Sequence, residues 1–324
     1  MYIRAIRGLL AVALLAALPS ANVCAAEPQD VAVKDPDILV QGEYVGEFTK
    51  PDGKKKFGVQ VIAFGKGKFH AVWRNGGLPG EGWGKNETAP CEGETAAGVT
   101  TFKADEQTAT IKDGAMVLTT DGKTVGELKR IVRKSPTLGA KPPKGAIVLF
   151  DGKNADQFEN GRMTDDGLLK QGATSKLKHQ SGTLHIEFQI PYGPLVPSRG
   201  NSGCYLQSRY EVQMLDSFGL KPHNHECGGI PSIKEPDINM SFPPLSWQTY
   251  DVDFTAAQFT NGQKTKNGRM TVRHNGVVVH DNVELPHATT SSPLPEGPEP
   301  GPINLQDHNS EVRYRNVWFV EKSS

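Results

Sequence analysis

Short runs of alternating apolar and polar residues, cut off by glycine, asparagine or aspartate, recur from Gln41 to the end of this chain. No stretch carries an apolar stripe at helical spacing of comparable strength. LHIEFQI (184–190) is the clearest run: Leu184, Ile186, Phe188 and Ile190 fall on one face, His185, Glu187 and Gln189 on the other. A period of two is what a half-buried strand requires. RMTVRHNGVVVHDNVEL (269–285) and ATIKDGAMVLTT (109–120) carry it across Asn275-Gly276 and Asp113-Gly114, dipeptides suited to tight hairpin turns. With 35 glycines and 23 prolines among 324 residues, the chain reads as an all-β protein.

Lys+Arg and Asp+Glu both number 36, so the net charge is zero. That argues against nucleic acid and against an anionic membrane surface as partners. The first 26 residues read as a secretory signal peptide: Arg4 and Arg7, an apolar run from Leu9 to Leu18, then small residues up to Ala26. The run of about ten residues is far short of the roughly 20 that span a bilayer, so no transmembrane span is expected. The expected location is exported, periplasmic or extracellular. Three cysteines remain beyond this leader, and Cys204–Cys227 is the disulfide to test, which sequence separation alone cannot certify.

Residues 27–40 are polar and read as a tether. Residues 41–135 form a small antiparallel β domain in which no chemistry is evident. Residues 136–145 are rich in proline, glycine and lysine and read as a linker. Residues 146–324 form a second β-rich domain, expected to be a two-sheet sandwich. Within it, RGNSGCYLQSRYEVQMLDSFG (199–219) reads as a hairpin whose core face carries Cys204, Leu206, Val212 and Met214. An odd loop, Ser208-Arg209-Tyr210, places Gln207 opposite Glu211. Tyr205, Gln207, Glu211 and Gln213 then share the other face. If the neighbouring strand adds His185, Glu187 and Gln189, one sheet presents a polar platform suited to a ligand rich in hydroxyl groups. A solvated sheet face is the plain alternative.

The blocks RGNSGCYLQSRYEVQMLDSFG, ECGGIPSIKEPDINMSFPPLSWQTYDVDF, TVRHNGVVVHD and GPINLQDHNSEVRYRNVWFVE, with GAIVLFDGKNADQFEN (145–160), closely resemble the 3-keto-disaccharide hydrolase family. The likeness covers residues 145–324. It implies a concanavalin A-like jelly roll with a sugar-binding concave sheet, and action on glycosides whose C3 hydroxyl is oxidised to a ketone. A C3 carbonyl acidifies the C2 proton. A base can then remove it, the C1 substituent leaves by elimination, and water adds. A divalent cation could hold the enolate, with Glu187, Glu211 and His308 as possible ligands.

The candidate catalytic groups are therefore His308, Glu211 and Glu187. Tyr205, Gln207, Gln213, Asn201, Gln306, Arg199, Arg313 and Trp247 are the candidates for holding a carbohydrate substrate. His-x-His-Glu at 223–226 reads as a polar rim loop rather than a metal site. No ExDxE, GxSxG, HExxH or P-loop pattern is present. The rival reading is a noncatalytic, lectin-like carbohydrate-binding module; two acids and an imidazole with only one clear stacking aromatic, Tyr205, favour an enzyme. Oligomeric state is not readable from the sequence.

Overall fold

The computed structural model describes residues 34–50, 53–85 and 89–322. The signal peptide expected over 1–26, with Cys24, lies outside the described residues, as does most of the expected tether. After a single helical turn, α1 (Asp37–Val40), come β1 (Gly42–Lys50), β2 (Gly53–Gly65), β3 (Lys68–Asn75), β4 (Cys91–Ala96), β5 (Val99–Ala104), β6 (Gln107–Lys112), β7 (Ala115–Thr120) and β8 (Lys123–Ile131). They pair in sequence order, and β1 also pairs with β8, closing an eight-stranded antiparallel barrel. Closure brings β1 and β8 together at Gly46, where a Cβ would collide with the backbone of Glu127. Tyr44, Val61, Phe69, Ile111, Met116 and Leu128 fill the interior. The Asp113-Gly114 turn has φ of 50° and 76°, as its dipeptide predicts.

The end of the segment expected to be a tether is part of this barrel. Ile38 is buried, the Tyr44 hydroxyl donates to the Val40 carbonyl, and the Asp37 carboxylate accepts the Gly67 N–H at 2.8 Å. One isoleucine in a polar string gives no periodic signal, but its burial fixes α1 across one end of the barrel.

The second unit contains β9 (Ile147–Phe150), β10 (Phe158–Glu159), β11 (Leu169–Lys170), β12 (Ala173–His179), β13 (Gly182–Gln189), β14 (Ser202–Leu206), β15 (Tyr210–Met214), β16 (Trp247–Thr255), the small pair β17 (Gln258–Thr260) and β18 (Gln263–Lys266), β19 (Gly268–His274), β20 (Val277–Leu285), β21 (Gly301–Leu305) and β22 (Arg313–Glu321). A five-stranded sheet runs β10-β12-β21-β14-β15; a seven-stranded sheet runs β11-β22-β13-β16-β19-β20, with β9 beside β22. Their facing sides share one core, in which Cys204, Leu206, Val212 and Leu305 of the first sheet join Leu184, Ile186, Phe188 and Val252 of the second. The protein is all-β, a barrel followed by a two-sheet sandwich. No helix among the described residues is long and apolar enough to cross a membrane.

The segment after β8 is fastened to the outer side of the seven-stranded sheet. Ser135 shares a 2.6 Å hydroxyl hydrogen bond with Thr249, Thr137 donates to Asp251 at 2.7 Å, and the Gly139 N–H donates to Glu187 at 2.6 Å. Asn316 and Trp318 donate to the Ala140 carbonyl. Arg133 adds a bidentate contact to Glu43 of the barrel and lies 4.9 Å above the Phe242 ring of the sandwich. A composition that reads as a linker here supplies small hydroxyls and backbone groups that satisfy buried acids.

Cys91, Cys204 and Cys227 are all free thiols. The expected Cys204–Cys227 disulfide is therefore corrected: Cys204 faces the core from β14, while Cys227 is engaged by the Tyr250 hydroxyl at 3.1 Å.

Candidate functional site

The register of the β14–β15 hairpin decides which side chains meet. Tyr205 lies opposite Glu211, Leu206 opposite Tyr210, and Gly203 opposite Gln213. The loop is Gln207-Ser208-Arg209, one residue earlier than expected, with φ of 53° at Gln207 and 54° at Ser208. Both lengths are odd, so Tyr205, Glu211 and Gln213 still share the face away from the core. Gln207 leaves that face and ties the turn down, donating to the His179 carbonyl and the Gln180 side chain. Arg209 holds the same turn through the carbonyls of Pro295 and Glu299.

Tyr205 is also level with Asn304 of β21, which is level with Thr174 of β12. One row across the outer face of the five-stranded sheet thus reads Thr174, Asn304, Tyr205, Glu211. The next row carries Gln306, Gly203 and Gln213, since the Gln306 N–H donates to the Gly203 carbonyl. Gly203 makes the geometry possible. A Cβ there would collide with Glu211 Oε1, so the carboxylate occupies the space that any other side chain would fill.

Gln306 Nε2 donates to the Tyr205 hydroxyl at 3.1 Å, and that hydroxyl donates to Glu211 Oε2 at 2.8 Å. Glu211 Oε1 is buried and has no hydrogen-bond partner. A bare buried carboxylate oxygen favours the protonated form. Burial accordingly pushes the Glu211 carboxyl up to about 7, against the smaller downward pull of the Tyr205 hydrogen bond. The arrangement gives one carboxyl that exchanges a proton near neutral pH, oriented by a phenol whose own proton burial holds firmly. A carboxyl tuned this way suits general acid–base work. The buried amide oxygen of Asn201, just before β14, is also without a partner.

Glu187 is a different kind of acid. It lies on the outer face of the seven-stranded sheet, not beside Glu211, so the expected single platform is corrected to two separate faces. Sheet order is the reason: β13 pairs with β16 and β22, and the hairpin pairs with β21. Arg315 Nε donates to Glu187 at 2.7 Å and Asn316 at 2.8 Å, alongside Gly139. Burial alone would push its carboxyl up, but His185, 3.7 Å away, and the hydrogen bonds from Asn316, Arg315 and Gly139 outweigh it and pull the group down to about 2. His185 pairs with Asp251 at 2.6 Å and stacks on Trp318 with centroids 4.9 Å apart; those acids raise its affinity for a proton despite burial. An acid this fully satisfied is a fastening and not a base.

The remaining candidates divide between the two faces. Gln213 and Gln306 accompany Glu211, and His308 follows in the exposed bend two residues past Gln306. Arg199 faces Glu226 at 2.7 Å and donates to the Asp216 carbonyl, holding the rim loop. Arg313 reaches Gln171 and Glu311 at the edge of the other sheet, and Trp247 carries the Arg315 guanidinium 3.9 Å above its ring. Neither Arg313 nor Trp247 lies on the Glu211 face. Asn304 and Thr174 were missed, although Ile303-Asn304-Leu305 alternates as clearly as the hairpin does. Glu187, Glu211 and His308 do not form a donor set, and among the described residues no group of three or more His, Cys, Asp or Glu side chains is placed to hold a metal ion. Glu187, Glu211 and His308 therefore offer no shared site for a divalent cation.

Fold and site together define a β-sandwich protein with one near-neutral carboxyl on a sheet face rich in amides and hydroxyls. The chain belongs to the family of 3-keto-alpha-glucoside-1,2-lyase-like domains, which it matches over residues 145–320. It is 32% identical to a candidate glycosyl hydrolase from Parabacteroides distasonis ATCC 8503, covering 56% of this chain and 85% of that one at a TM-score of 0.50. Two further candidate glycosyl hydrolases from the same organism are more distant: 17% identity over 56% and 95% of the chains at a TM-score of 0.41, and 20% over 55% and 99% at 0.39. No curated protein matches.

Proposed function

We propose that this protein cleaves glycosides whose C3 hydroxyl has been oxidised to a ketone, with Glu211 as the group that moves the C2 proton. The observation that carries this reading is the Glu211 carboxyl itself, raised to about 7 with Oε1 bare and Oε2 held by Tyr205. The carboxylate takes the proton from C2, and the C–H electron pair forms an enolate whose charge rests on the C3 oxygen. Collapse of the enolate restores the C3 carbonyl, forms a C1–C2 double bond and breaks the bond from C1 to the leaving oxygen. His308, in the exposed bend beyond Gln306, is assigned to protonate that oxygen. Neutral His308 then takes a proton from water as its hydroxyl adds to C1, and Glu211 returns the proton to C2, giving net hydrolysis with both groups restored. Asn304, Gln306 and Gln213 are assigned to the sugar hydroxyls. Family membership and the glycosyl hydrolase description of the 32%-identical relative support the reading.

The test is incubation of the purified protein with 3-keto-glucosides and 3-keto-disaccharides beside the unoxidised sugars. Turnover of the keto substrates alone is expected. Saturable binding without product would instead mark a carbohydrate-binding module. Because Glu211 acts as its carboxylate, kcat/KM is expected to rise with pH through about 7. Tyr205→Phe removes the hydrogen bond that pulls the Glu211 carboxyl down. It is expected to move that ascending limb to higher pH by about one unit, the equivalent of ~1.4 kcal/mol of lost charge stabilisation. A limb that does not move would separate Tyr205 from the proton transfer.

A further inference from the structure

The barrel lies outside the region shared with the family, and its interior is only partly filled. Inward positions alternate along each strand, and at the α1 end they carry Tyr44, Phe69, Ile111 and Met116, which close the interior. Toward the opposite end some inward positions, among them Ala104, Gln107 and Thr120, are small or polar, and a cavity of about 310 Å³ remains. Four aromatic rings line it: Phe48, Phe57, Trp73 and Phe102. Phe48 and Phe57 meet edge to face with centroids 5.7 Å apart. Phe102 lies across β4 where Gly93 has no side chain to obstruct the ring.

An eight-stranded barrel is just wide enough either to pack its own side chains or to hold one small ligand. Among the described residues, this one packs at one end and leaves space at the other. We infer that the open end of the barrel binds an uncharged, flat, apolar molecule of one or two rings. Among the described residues, none that lines the cavity is charged, which favours an uncharged ligand. The ring faces suit an aromatic guest through offset or edge contacts. The Asn75 and Gln107 amides at the rim offer it a hydrogen bond. The volume stands near the lower limit of ligand sites, about 300 Å³, so long-chain lipids and sugars of several units are too large.

Cys91 lines the same cavity and is partly exposed, whereas Cys204 and Cys227 are buried in the sandwich. Its thiol therefore reports on occupancy. The probe is the neutral naphthalene dye 6-propionyl-2-dimethylaminonaphthalene, titrated into the whole protein. A saturable, blue-shifted emission is expected, together with slowing of Cys91 alkylation by iodoacetamide, read on the Cys91 peptide by mass spectrometry. Ala109→Trp fills the cavity from β6 and is expected to weaken dye binding at least tenfold, about 1.4 kcal/mol. Alkylation protection in the unaltered protein decides the matter if that variant fails to fold. Absence of saturable emission, unchanged dye affinity in a folded Ala109→Trp protein, or Cys91 alkylation indifferent to the dye would each overturn the inference.

Discussion

Glu211→Gln is expected to abolish turnover of a 3-keto glycoside while making the protein more stable at neutral pH. Loss of a general acid–base group lowers rate by about 10²–10⁴-fold, which sets the scale of the kinetic effect. The stability effect has the opposite sign. In the unfolded chain this carboxyl ionises near its ordinary value of 4.5; in the folded protein it holds its proton until about 7. Below 4.5 both states are protonated and the group is neutral in its effect. As pH rises from 4.5 to 7 only the unfolded state gives up its proton, so the folded state loses stability by an amount on the order of 3 kcal/mol, constant above that window. Glutamine has no proton to lose. Its expected gain over the native protein therefore grows between pH 4.5 and 7, measurable as the difference in denaturant midpoint across that range. A variant that loses activity and stability together would mean that Glu211 is structural.

Glu187→Gln is expected to do the reverse. Breaking a buried ion pair by removing one partner costs about 3–5 kcal/mol, and the single amide oxygen of glutamine cannot serve both Arg315 and the Gly139 N–H, which use different oxygens of Glu187. The carboxyl titrates at about 2 in the folded state against 4.5 unfolded. Its contribution is fully present above 4.5 and is lost as pH falls from 4.5 toward 2. Denaturation curves at pH 7 and pH 3 should thus lie closer together in the variant than in the native protein. Turnover by the folded variant should stay within about threefold of the native value, because less than 1 kcal/mol separates such rates. A loss of several hundredfold in the folded variant would return Glu187 to the reaction.

The contrast between these acids was only half legible in the sequence. Alternation located both side chains on the outward faces of strands, and Asn275-Gly276 and Asp113-Gly114 turned where their dipeptides require. Sheet assignment is a long-range property: β13 finds β16 and β22, while the hairpin finds β21, and nothing within either strand specifies that choice. The hairpin loop was displaced by one residue because neither Gln207 nor Ser208 advertises a left-handed backbone, as glycine or asparagine would. The hairpin carboxylate kept its place because both candidate loops have the same parity. The fastening of residues 135–140 stayed hidden for another reason: a proline- and glycine-rich segment carries no signal for which buried acids its backbone will satisfy. His308 was found through family likeness, and its bend gives it exposure but no partner among the described residues.

The vacancy at Gly203 carries a further meaning. The near-neutral proton affinity of Glu211 belongs to neither strand alone; it arises when β14 and β15 zip together and the carboxylate is swallowed by its neighbour's missing side chain. Carbon-13 resonance of the Glu211 carboxyl should therefore titrate near 4.5 in any state in which the hairpin is open, and shift only on closure. The competence of the site and the correctness of one strand pairing are a single event, visible at a single atom.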